Sequence, residues 1–279
     1  MNRLTQVIVG CNAVANWVGK GLFPIGYLPG WLSATLVAIG TGILLLLIFK
    51  YTSNQQAIKR VRADIRANLL AVRLFKDDIG VGLRAQGRVL LGAFRLLLLA
   101  LVPMLVMIVP MILVLAQLST WYQAAPLPVG DETVVTVQLQ GAVEDPLPTI
   151  ELVPCDAVED LSGPVRVLSQ RETCWQLRAR QPGYHQLEFR VAGEVVHKEL
   201  SIGSGLMQVS PVRPGWEWLD VLLYPRERPF PPGGLVHSIT LEYPTRPGWA
   251  SGTDNWVIYW FAVSLIAGFL FRKTLKVHL

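Results

Sequence analysis

Hydrophobic residues are concentrated in three runs of this chain that contain no charged side chain. The runs cover residues 32–49, 96–118 and 255–271, and the stretch between the last two has the mixed composition of a soluble domain. A helix of about 18 residues is roughly 27 Å long, close to the hydrocarbon core of a bilayer. The runs therefore predict three transmembrane helices, at residues 32–49, 95–122 and 254–272. A buried helix of a soluble protein is the alternative for a single run, and it does not suit three.

The residues before the first run carry an amphipathic helical pattern. Apolar residues return every three or four positions, while polar residues take the other faces. The apolar members are Leu4, Val7, Ile8, Cys11, Val14, Val18 and Leu22. This pattern predicts an interfacial amphipathic helix within residues 1–31. A tail that packs on the outer domain is the alternative.

The segment between the first two runs, residues 50–94, has the spacing of a coiled coil. Apolar positions alternate in steps of three and four, with one polar member. They are Ile58, Val61, Ile65, Asn68, Val72, Phe75 and Ile79. With a bend expected near Gly80 and Gly82, the pattern predicts a helical hairpin that projects into the cytoplasm. One amphipathic helix lying flat on anionic lipid is the alternative.

Two prolines, Pro103 and Pro110, lie inside the second apolar run. Each proline removes one backbone donor from a helix and crowds the preceding turn, so the helix is expected to kink or unwind there. The carbonyl groups that lose their partners need water in a cavity or contacts from neighbouring helices.

β-strand patterns punctuated by proline and glycine fill much of residues 123–253. The candidate strands are residues 133–139, 149–153, 165–168, 174–178, 184–191 and 195–202. Their spacing predicts an all-β, sandwich-like domain. Residues 209–249 either extend the sandwich or rest on the membrane. The predicted fold class is membrane α-helical, with three transmembrane helices and a cytoplasmic helical hairpin, plus an extracytoplasmic all-β domain.

The distribution of charge predicts how these segments face the membrane. Residues 50–95 hold ten Lys and Arg against three acidic residues, the tail at 273–279 is basic, and residues 119–255 hold ten basic and 17 acidic residues. Short basic loops remain in the cytoplasm. We therefore expect a cytoplasmic hairpin and C-terminal tail, with the N-terminus and the β domain outside, in a bacterial inner (plasma) membrane facing the periplasm.

Composition and motifs argue against several classes of function. The chain is 52% hydrophobic and 16% charged, which is too apolar for an ordinary soluble protein. It has no phosphate-binding loop, dinucleotide fingerprint or nucleophile elbow, and its four histidines lack metal-ligand spacing. No basic stripe is interleaved with aromatic residues, so specific nucleic-acid recognition is not expected. The sequence predicts a protein that is not an enzyme and needs no cofactor or metal.

Cys155 and Cys174 both fall in the predicted exported domain, where an oxidising environment permits a disulfide between them. Free thiols are the alternative. Cys11 follows Ile8, Val9 and Gly10, which superficially resemble a lipoprotein cleavage box. The apolar stretch before it is too short for a signal peptide, so lipidation is not expected.

Three stretches of the sequence resemble the Oxa/YidC/Alb membrane insertase superfamily. They read YTSNQQAIKRVRADIRANLLAVRLFKDD, LVPMLVMIVPMILVLAQLSTWYQAAPL and NWVIYWFAVSLIAGFLFRKTLKV, and together they cover about half of the chain. The order of an outer helix, a span, a basic hairpin, a proline-containing span and a last span with a basic tail is similar to the three-span branch. That branch includes archaeal YidC-like proteins and the insertase-like subunit of the ER membrane protein complex. The β domain between the last two spans is additional to its pattern.

The resemblance implies a biogenesis factor with chaperone-like activity, which helps client helices enter the bilayer through a polar groove without nucleotide hydrolysis. Its partners would be membrane lipids, client membrane proteins and, through the basic hairpin, a ribosome or other biogenesis subunits. The candidate groove and client-binding residues are Arg84, Arg88, Arg95, Pro103, Pro110, Gln117 and Ser264. Residues 32–49 lack the groove arginine of bacterial members. Arg95 is the best substitute, while Arg84 and Arg88 have snorkelling to lipid phosphates as an equal alternative.

A second hypothesis from the sequence assigns function to the β domain instead. In this interpretation the domain recognises a ligand or an envelope partner, and the helices only anchor it to the membrane and assemble a complex. A polar surface along the second span would favour an insertase. A concave aromatic pocket on the β domain would favour the anchored binding protein.

Overall fold

The computed structural model describes residues 3–21, 29–74, 79–246 and 255–275. Contacts divide the chain into two compact units. The sandwich unit comprises Met1–Thr35 and Leu113–Trp260, and the hairpin unit comprises Leu36–Ile112 and Phe261–Leu279. The α-helices of the described ranges are α1 Arg3–Gly21, α2 Gly30–Thr52, α3 Gln55–Leu74, α4 Ile79–Tyr122, α5 Trp218–Leu223 and α6 Trp256–Phe271.

Two of these helices, α2 and α4, are long and apolar enough to cross a membrane by length and composition. The helix α2 has 23 residues and contains the predicted first span. The third apolar run forms α6, which has 16 residues. This is below the roughly 20 residues that a helix normally needs to cross the hydrocarbon core. The three apolar runs therefore form two long helices, α2 and α4, and one shorter helix, α6.

The helix α4 is a single continuous element of 44 residues with both Pro103 and Pro110 inside it. The returning arm of the hairpin and the second span, which are predicted as adjacent segments that meet at residue 95, are one helix. Of the two expected effects of the prolines, a kink or unwinding, unwinding does not occur. Each proline breaks only the hydrogen bond to the carbonyl four residues earlier, at Leu99 or Val106, and the other backbone bonds keep the helix continuous.

The helices α3 and α4 form the predicted hairpin. Ile58 and Ala85, one on each helix, are buried. Gly92 of α4 makes room for Ile65 of α3, because a Cβ atom at Gly92 would lie 2.6 Å from Ile65 Cγ1. The heptad spacing of α3 therefore describes a real packing face. Residues 75–78, which would form the bend, lie outside the described part of the chain.

Within the hairpin unit, α2 and α6 come into backbone contact at one glycine. A Cβ atom added to Gly42 would lie 2.4 Å from the carbonyl oxygen of Ser264 and 3.0 Å from its Cα. Such close approach of two helices is typical of glycine at helix interfaces in membrane proteins. The contact brings the first and third apolar runs together, as expected if both belong to one helical bundle.

The sandwich unit contains two antiparallel sheets. The first has the strand order β3-β4-β1-β8-β7 and the second has the order β2-β5-β6. The strands are β1 Glu132–Leu139, β2 Ile150–Leu152, β3 Val158–Val167, β4 Glu172–Ala179, β5 Gly183–Val191, β6 Glu194–Ile202, β7 Val212–Arg213 and β8 Val236–Leu241. The predicted all-β domain is thus confirmed as an arrangement of antiparallel sheets.

The alternation of buried and exposed residues explains how the sheets pack. In β1 every second residue is buried, and the inward residues of both sheets form one hydrophobic core. Trp175 of β4 and Phe189 of β5 meet there, with ring centroids 5.3 Å apart. Six strand predictions match observed strands, but β3 begins at Val158 rather than at residue 165. Its register shifts twice against β4, which breaks the alternation that the sequence pattern relies on.

Residues 209–246, as far as they are described, extend the sandwich. They contribute β7, α5 and β8, and β8 lies beside β1 in the larger sheet. Residues 247–249 of the predicted segment lie outside the described residues.

The two cysteines of the sandwich are both free, which corrects the expectation of a disulfide. Cys174 Sγ lies 3.5 Å from Thr136 Oγ1, on the face of β4 that points away from the core. Cys155 instead packs against the core, three residues before Val158, which pairs with Ala179. Cys174 lies opposite Val165, ten residues from Cys155, and its side chain is on the face of the sheet away from the core, so the two sulfur atoms do not meet the geometry of a disulfide.

Candidate functional site

Three of the predicted groove residues lie together on α4. Arg84, Arg88 and Arg95 are all exposed, and at 100° per residue they fall within an arc of about 40°. No ion pair connects them to any residue of the described ranges. We call this set the arginine stripe. It ends at the start of the long apolar run, where Arg95 is followed by Leu96.

The two prolines lie on an adjacent face of α4. Pro103 is buried and Pro110 is half-buried, and both fall within about 20° of the line that contains Ala85 and Gly92. Since Gly92 contacts α3, the prolines belong to the packed side of the helix. The arginine stripe is about 60–80° away on the exposed side. The predicted groove arginines and the predicted groove prolines therefore occupy neighbouring faces of α4.

Ser264 has a packing role in α6. It is 6% exposed, and its Oγ donates to the carbonyl oxygen of Phe261 at 2.9 Å. Its backbone lies against Gly42 of α2. A hydroxyl that is bonded within its own helix is satisfied without a ligand, so Ser264 supports the α2–α6 contact rather than a polar surface.

Gln117 belongs to the sandwich unit, apart from the other candidates. Its Nε2 donates to Asn16 Oδ1 at 2.9 Å. Asn16 Nδ2 in turn donates to the carbonyl of Pro225 at 2.7 Å, and Asn12 Nδ2 donates to that of Val221 at 2.6 Å. Gln117 is therefore part of the anchor that holds α1 against α5 and the end of α4. The predicted site residues do not form one cluster.

The helix α1 is docked with its polar face inward. Thr5 and Asn12 are buried, whereas Val7, Val14 and Trp17 are 62%, 65% and 76% exposed. This arrangement is the reverse of a helix on the surface of a water-soluble protein. The docked α1 agrees with the alternative of packing on the outer domain, while its exposed apolar stripe agrees with contact to lipid.

Cys11 lies on this exposed apolar stripe and reports directly on its surroundings. We expect Cys11 in proteoliposomes to react slowly with a membrane-impermeant maleimide, and quickly after denaturing detergent is added, because lipid excludes the reagent. The extent of labelling is read by mass spectrometry of the peptide that contains Cys11. Ala142→Cys in a Cys11→Ser background is the control, since residue 142 is exposed in the loop between β1 and β2 of the sandwich unit. Equal rates at positions 11 and 142 would contradict lipid contact.

A fully buried lysine sits at one edge of the sandwich. Lys198 of β6 is 0% exposed, and its Nζ donates to the carbonyl of Ser210 at 2.6 Å and to Glu227 Oε1. Glu227 Oε1 also accepts from Ser210 Oγ at 2.5 Å, and Oε2 accepts from the backbone N–H of Glu199 at 3.0 Å. Burial lowers the pKa of Lys198, and the Glu227 carboxylate opposes this shift.

Further side-chain and loop contacts continue along the same edge of β6. The backbone N–H of Ser201 donates to the Tyr243 hydroxyl at 2.9 Å, and Leu127 N–H donates to the Ser201 carbonyl at 3.0 Å. Arg213 NH1 donates to the His197 carbonyl at 2.5 Å. Edge strands expose unpaired backbone groups that invite pairing with other chains. Here the side chains of neighbouring elements satisfy many of those groups.

A cleft of about 230 Å³ opens where these contacts end. Its walls include Val196 and His197 of β6, Arg213 of β7, and Phe230 and Val236. The guanidinium carbon of Arg213 lies 4.1 Å from the centroid of the Phe230 ring, within the range of a cation–π contact. The sandwich thus carries a concave site with one aromatic wall and one half-buried cation.

Sequence reasoning missed Lys198, Glu227 and Arg213. One signal is present for Lys198. It lies two residues from Val196 and from Leu200, on the same face of the strand, and that face points inward. Nothing in the local pattern points to Glu227 or Arg213, because their partners are 29 and 16 residues away in the chain. Among the described residues no group of His, Cys, Asp and Glu is placed to hold a metal ion.

No protein family, curated protein or solved structure is significantly similar to this chain.

Proposed function

We propose that this protein is an insertase-like membrane-protein biogenesis factor, which helps client helices enter the bilayer from a cytoplasmic hairpin. The observation that supports this proposal best is the continuity of α4. One helix carries the packing face of the hairpin, the arginine stripe and the long apolar run. A client held at the hairpin would therefore lie directly beside a path into the bilayer.

The arginine stripe supplies attraction for the parts of a client that must cross. Arg95 stands at the start of the apolar run. A charge at the bilayer centre costs about 2.5–3.5 kcal/mol unless it is solvated or paired. A position at the cytoplasmic mouth of a wet groove lowers this cost. An acidic segment of a client entering the groove would pair with the guanidinium groups in turn.

An apolar surface on α3 suits the apolar part of a client. A shallow depression is lined by Ala67, Leu70, Ala71, Arg73 and Leu74. Leu70 and Leu74 are 67% and 79% exposed. Exposed apolar residues on a hairpin that otherwise carries many basic side chains are typical of an interaction surface. We propose that client helices contact this depression, while the basic face meets lipid phosphates or a ribosome.

The driving force in this proposal comes from the client itself. Each Leu, Ile, Val or Phe of a client helix contributes about −0.3 to −0.6 kcal/mol on entering the bilayer. An apolar client helix therefore supplies several kcal/mol without nucleotide hydrolysis. The chain needs only to lower the barrier for the polar ends, and the arginine stripe is positioned for that role.

We expect Arg95→Ala to preserve folding but to slow insertion several-fold for clients with short acidic tails. Clients with neutral tails should be affected less, because the lost attraction is electrostatic. Arg95→Lys should retain much of the activity, since attraction at this range depends more on charge than on fork geometry. The measurement is protease protection of both client classes after reconstitution of the purified protein into liposomes.

Arg66→Ala is the matched control, because Arg66 is an exposed arginine of α3 outside the arginine stripe. It should leave both client classes unaffected. Equal insertion by the wild type, Arg95→Ala and empty liposomes would argue against an insertase.

The second candidate function is a membrane-anchored binding protein. The observation in its favour is the cleft between Arg213, Phe230 and β6, which is concave, has an aromatic wall and lies on the β domain. In this proposal the apolar helices serve as anchors, and recognition takes place at the sandwich edge.

A further inference from the structure

The free edge of β6 is covered by other parts of the chain along most of its length, but not at one end. Val191 and Glu194 flank the two-residue turn at Ala192 and Gly193, where both φ angles are positive, at 47° and 91°. This turn geometry makes Val191 and Glu194 a hydrogen-bonded pair. The backbone groups of the odd-numbered residues from 195 to 201 therefore point away from β5.

Three backbone groups on this outward side have no partner among the described residues. The carbonyl of His197 receives Arg213, and residues 199 and 201 are covered by Lys198, Glu227, Tyr243 and Leu127. The N–H of His197 and both groups of Val195 remain. Along the strand these uncovered groups follow in the order N–H, C=O, N–H. An added strand would form its hydrogen bonds with these groups.

The cleft lies beside this uncovered stretch and is lined by Val195, Val196 and His197. Its volume of about 230 Å³ is below the roughly 300–1,000 Å³ of pockets that enclose whole small molecules. It suits one or two apolar side chains resting on Phe230 and Val196. A cleft of this size beside open backbone groups favours an extended peptide over a compact metabolite.

The guanidinium of Arg213 favours a ligand that carries a negative charge. Its Nε donates to the carbonyl of Arg228 at 3.1 Å and its NH1 to that of His197. NH2 has no hydrogen-bond partner in the described ranges, and the guanidinium forms no ion pair there. The exposed carboxylate of Glu194 is the acidic group among the lining residues. A guanidinium held in place by two carbonyl groups, with donors still available, is arranged to receive a carboxylate.

We propose that the Val195–His197 edge binds an extended segment of a partner protein as an added β-strand. The segment carries an apolar side chain that fills the cleft and, two residues away on the same face, an acidic side chain that pairs with Arg213. The spacing of two follows from the side-chain period of a strand. This inference is independent of the proposed insertase function, since it concerns the sandwich unit alone.

The experiment uses the full chain in nanodiscs and the peptide acetyl-Thr-Leu-Thr-Glu-Thr-amide carrying a fluorophore. Fluorescence anisotropy is expected to show saturable binding to the wild type. Replacing the peptide glutamate by glutamine should weaken binding by at least about tenfold, as expected for the loss of a charge-assisted contact. Methylating the peptide backbone nitrogens should abolish binding, because the added strand loses its donors.

Val195→Pro is the decisive variant. Proline removes the outward N–H of Val195, and an edge strand tolerates this change because that group has no partner in the fold. Val195→Ala keeps the N–H and is its matched control. We expect Val195→Pro to lose binding by more than tenfold and Val195→Ala to retain it, with unchanged thermal unfolding of the sandwich in both.

Several outcomes would overturn the proposal. They are no saturable binding up to millimolar peptide, equal binding of the glutamine peptide, and retained binding of the methylated peptide. A concentration-dependent dimer that Val195→Pro abolishes would assign the edge to a second copy of this chain, and would also overturn it. None of these outcomes bears on insertion of clients in the Arg95 assay.

Discussion

Replacing Lys198 with methionine is expected to destabilise the sandwich by about 3–5 kcal/mol, the usual cost of removing one partner from a buried ion pair. Methionine fills a similar volume, so packing changes little. Glu227, with 8% of its side chain exposed, would keep a buried charge with no cation beside it. The carbonyl of Ser210 would lose its 2.6 Å hydrogen bond as well. The measurement is pulse proteolysis of the nanodisc-bound protein across a urea series.

An exposed ion pair provides the control for this experiment. Arg178 NH2 lies 2.7 Å from Glu132 Oε1, but both side chains are about two-fifths exposed. Arg178→Met should change the unfolding midpoint very little, because solvent screens such pairs. The double variant Lys198→Met, Glu227→Leu should recover part of the loss, since it removes both charges. If Lys198→Met were as mild as Arg178→Met, the buried pair would not be holding this edge together.

Gly42→Val is expected to disrupt the hairpin unit. Its Cβ would lie 2.4 Å from the Ser264 carbonyl oxygen, and a backbone atom cannot move aside as a flexible side chain can. The helices α2 and α6 must then separate, at a cost of about 1–3 kcal/mol or more by analogy with overpacked cores. The expected result is a lower temperature for the loss of a monodisperse peak in size-exclusion chromatography of the detergent-solubilised protein.

Gly40→Val is the matched control in the same helix. A Cβ atom at Gly40 would meet nothing within 4 Å, so the same residue change occurs two positions away without a steric conflict. It should leave the chromatographic stability unchanged. A similar loss from both variants would mean that valine affects α2 itself, and would argue against the Ser264 contact as the cause.

The features that could be predicted from sequence are those with a local, repeated signal. The apolar run of α2, the heptad spacing of α3 and the alternation in β1 each extend over two or more turns or pairs of residues, so periodicity identifies them. The continuity of α4 through Pro103 and Pro110 is not evident from the sequence, because proline removes a backbone donor and is disfavoured inside a helix. A long helix can lose two hydrogen bonds and remain intact when both prolines lie on its packed face.

The features that could not be predicted depend on which distant segments meet. Lys198 and Glu227 are joined only after β6 and the loop before β8 are folded together. The separation of Cys155 from Cys174 follows from the pairing of β3 with β4, in which Cys174 lies opposite Val165, ten residues along the chain from Cys155. Gln117 is a predicted groove residue, but its side chain donates to Asn16, which is 101 residues away in the chain.

The single helix α4 also constrains how the gene for this protein can change. The angular positions of Gly92, Arg95 and Pro103 around the helix axis are fixed relative to one another, because each inserted residue rotates everything beyond it by about 100°. One extra residue after Gly92 would turn Arg95 and Pro103 away from their present faces while leaving the hydropathy profile almost unchanged. An insertion of seven residues shifts the phase by only about 20°. An insertion of eleven residues shifts the phase equally little, and one of 18 residues does not shift it at all. Viable length variants of this helix should therefore differ by about seven, eleven or 18 residues, a rule that a profile of apolar residues cannot reveal.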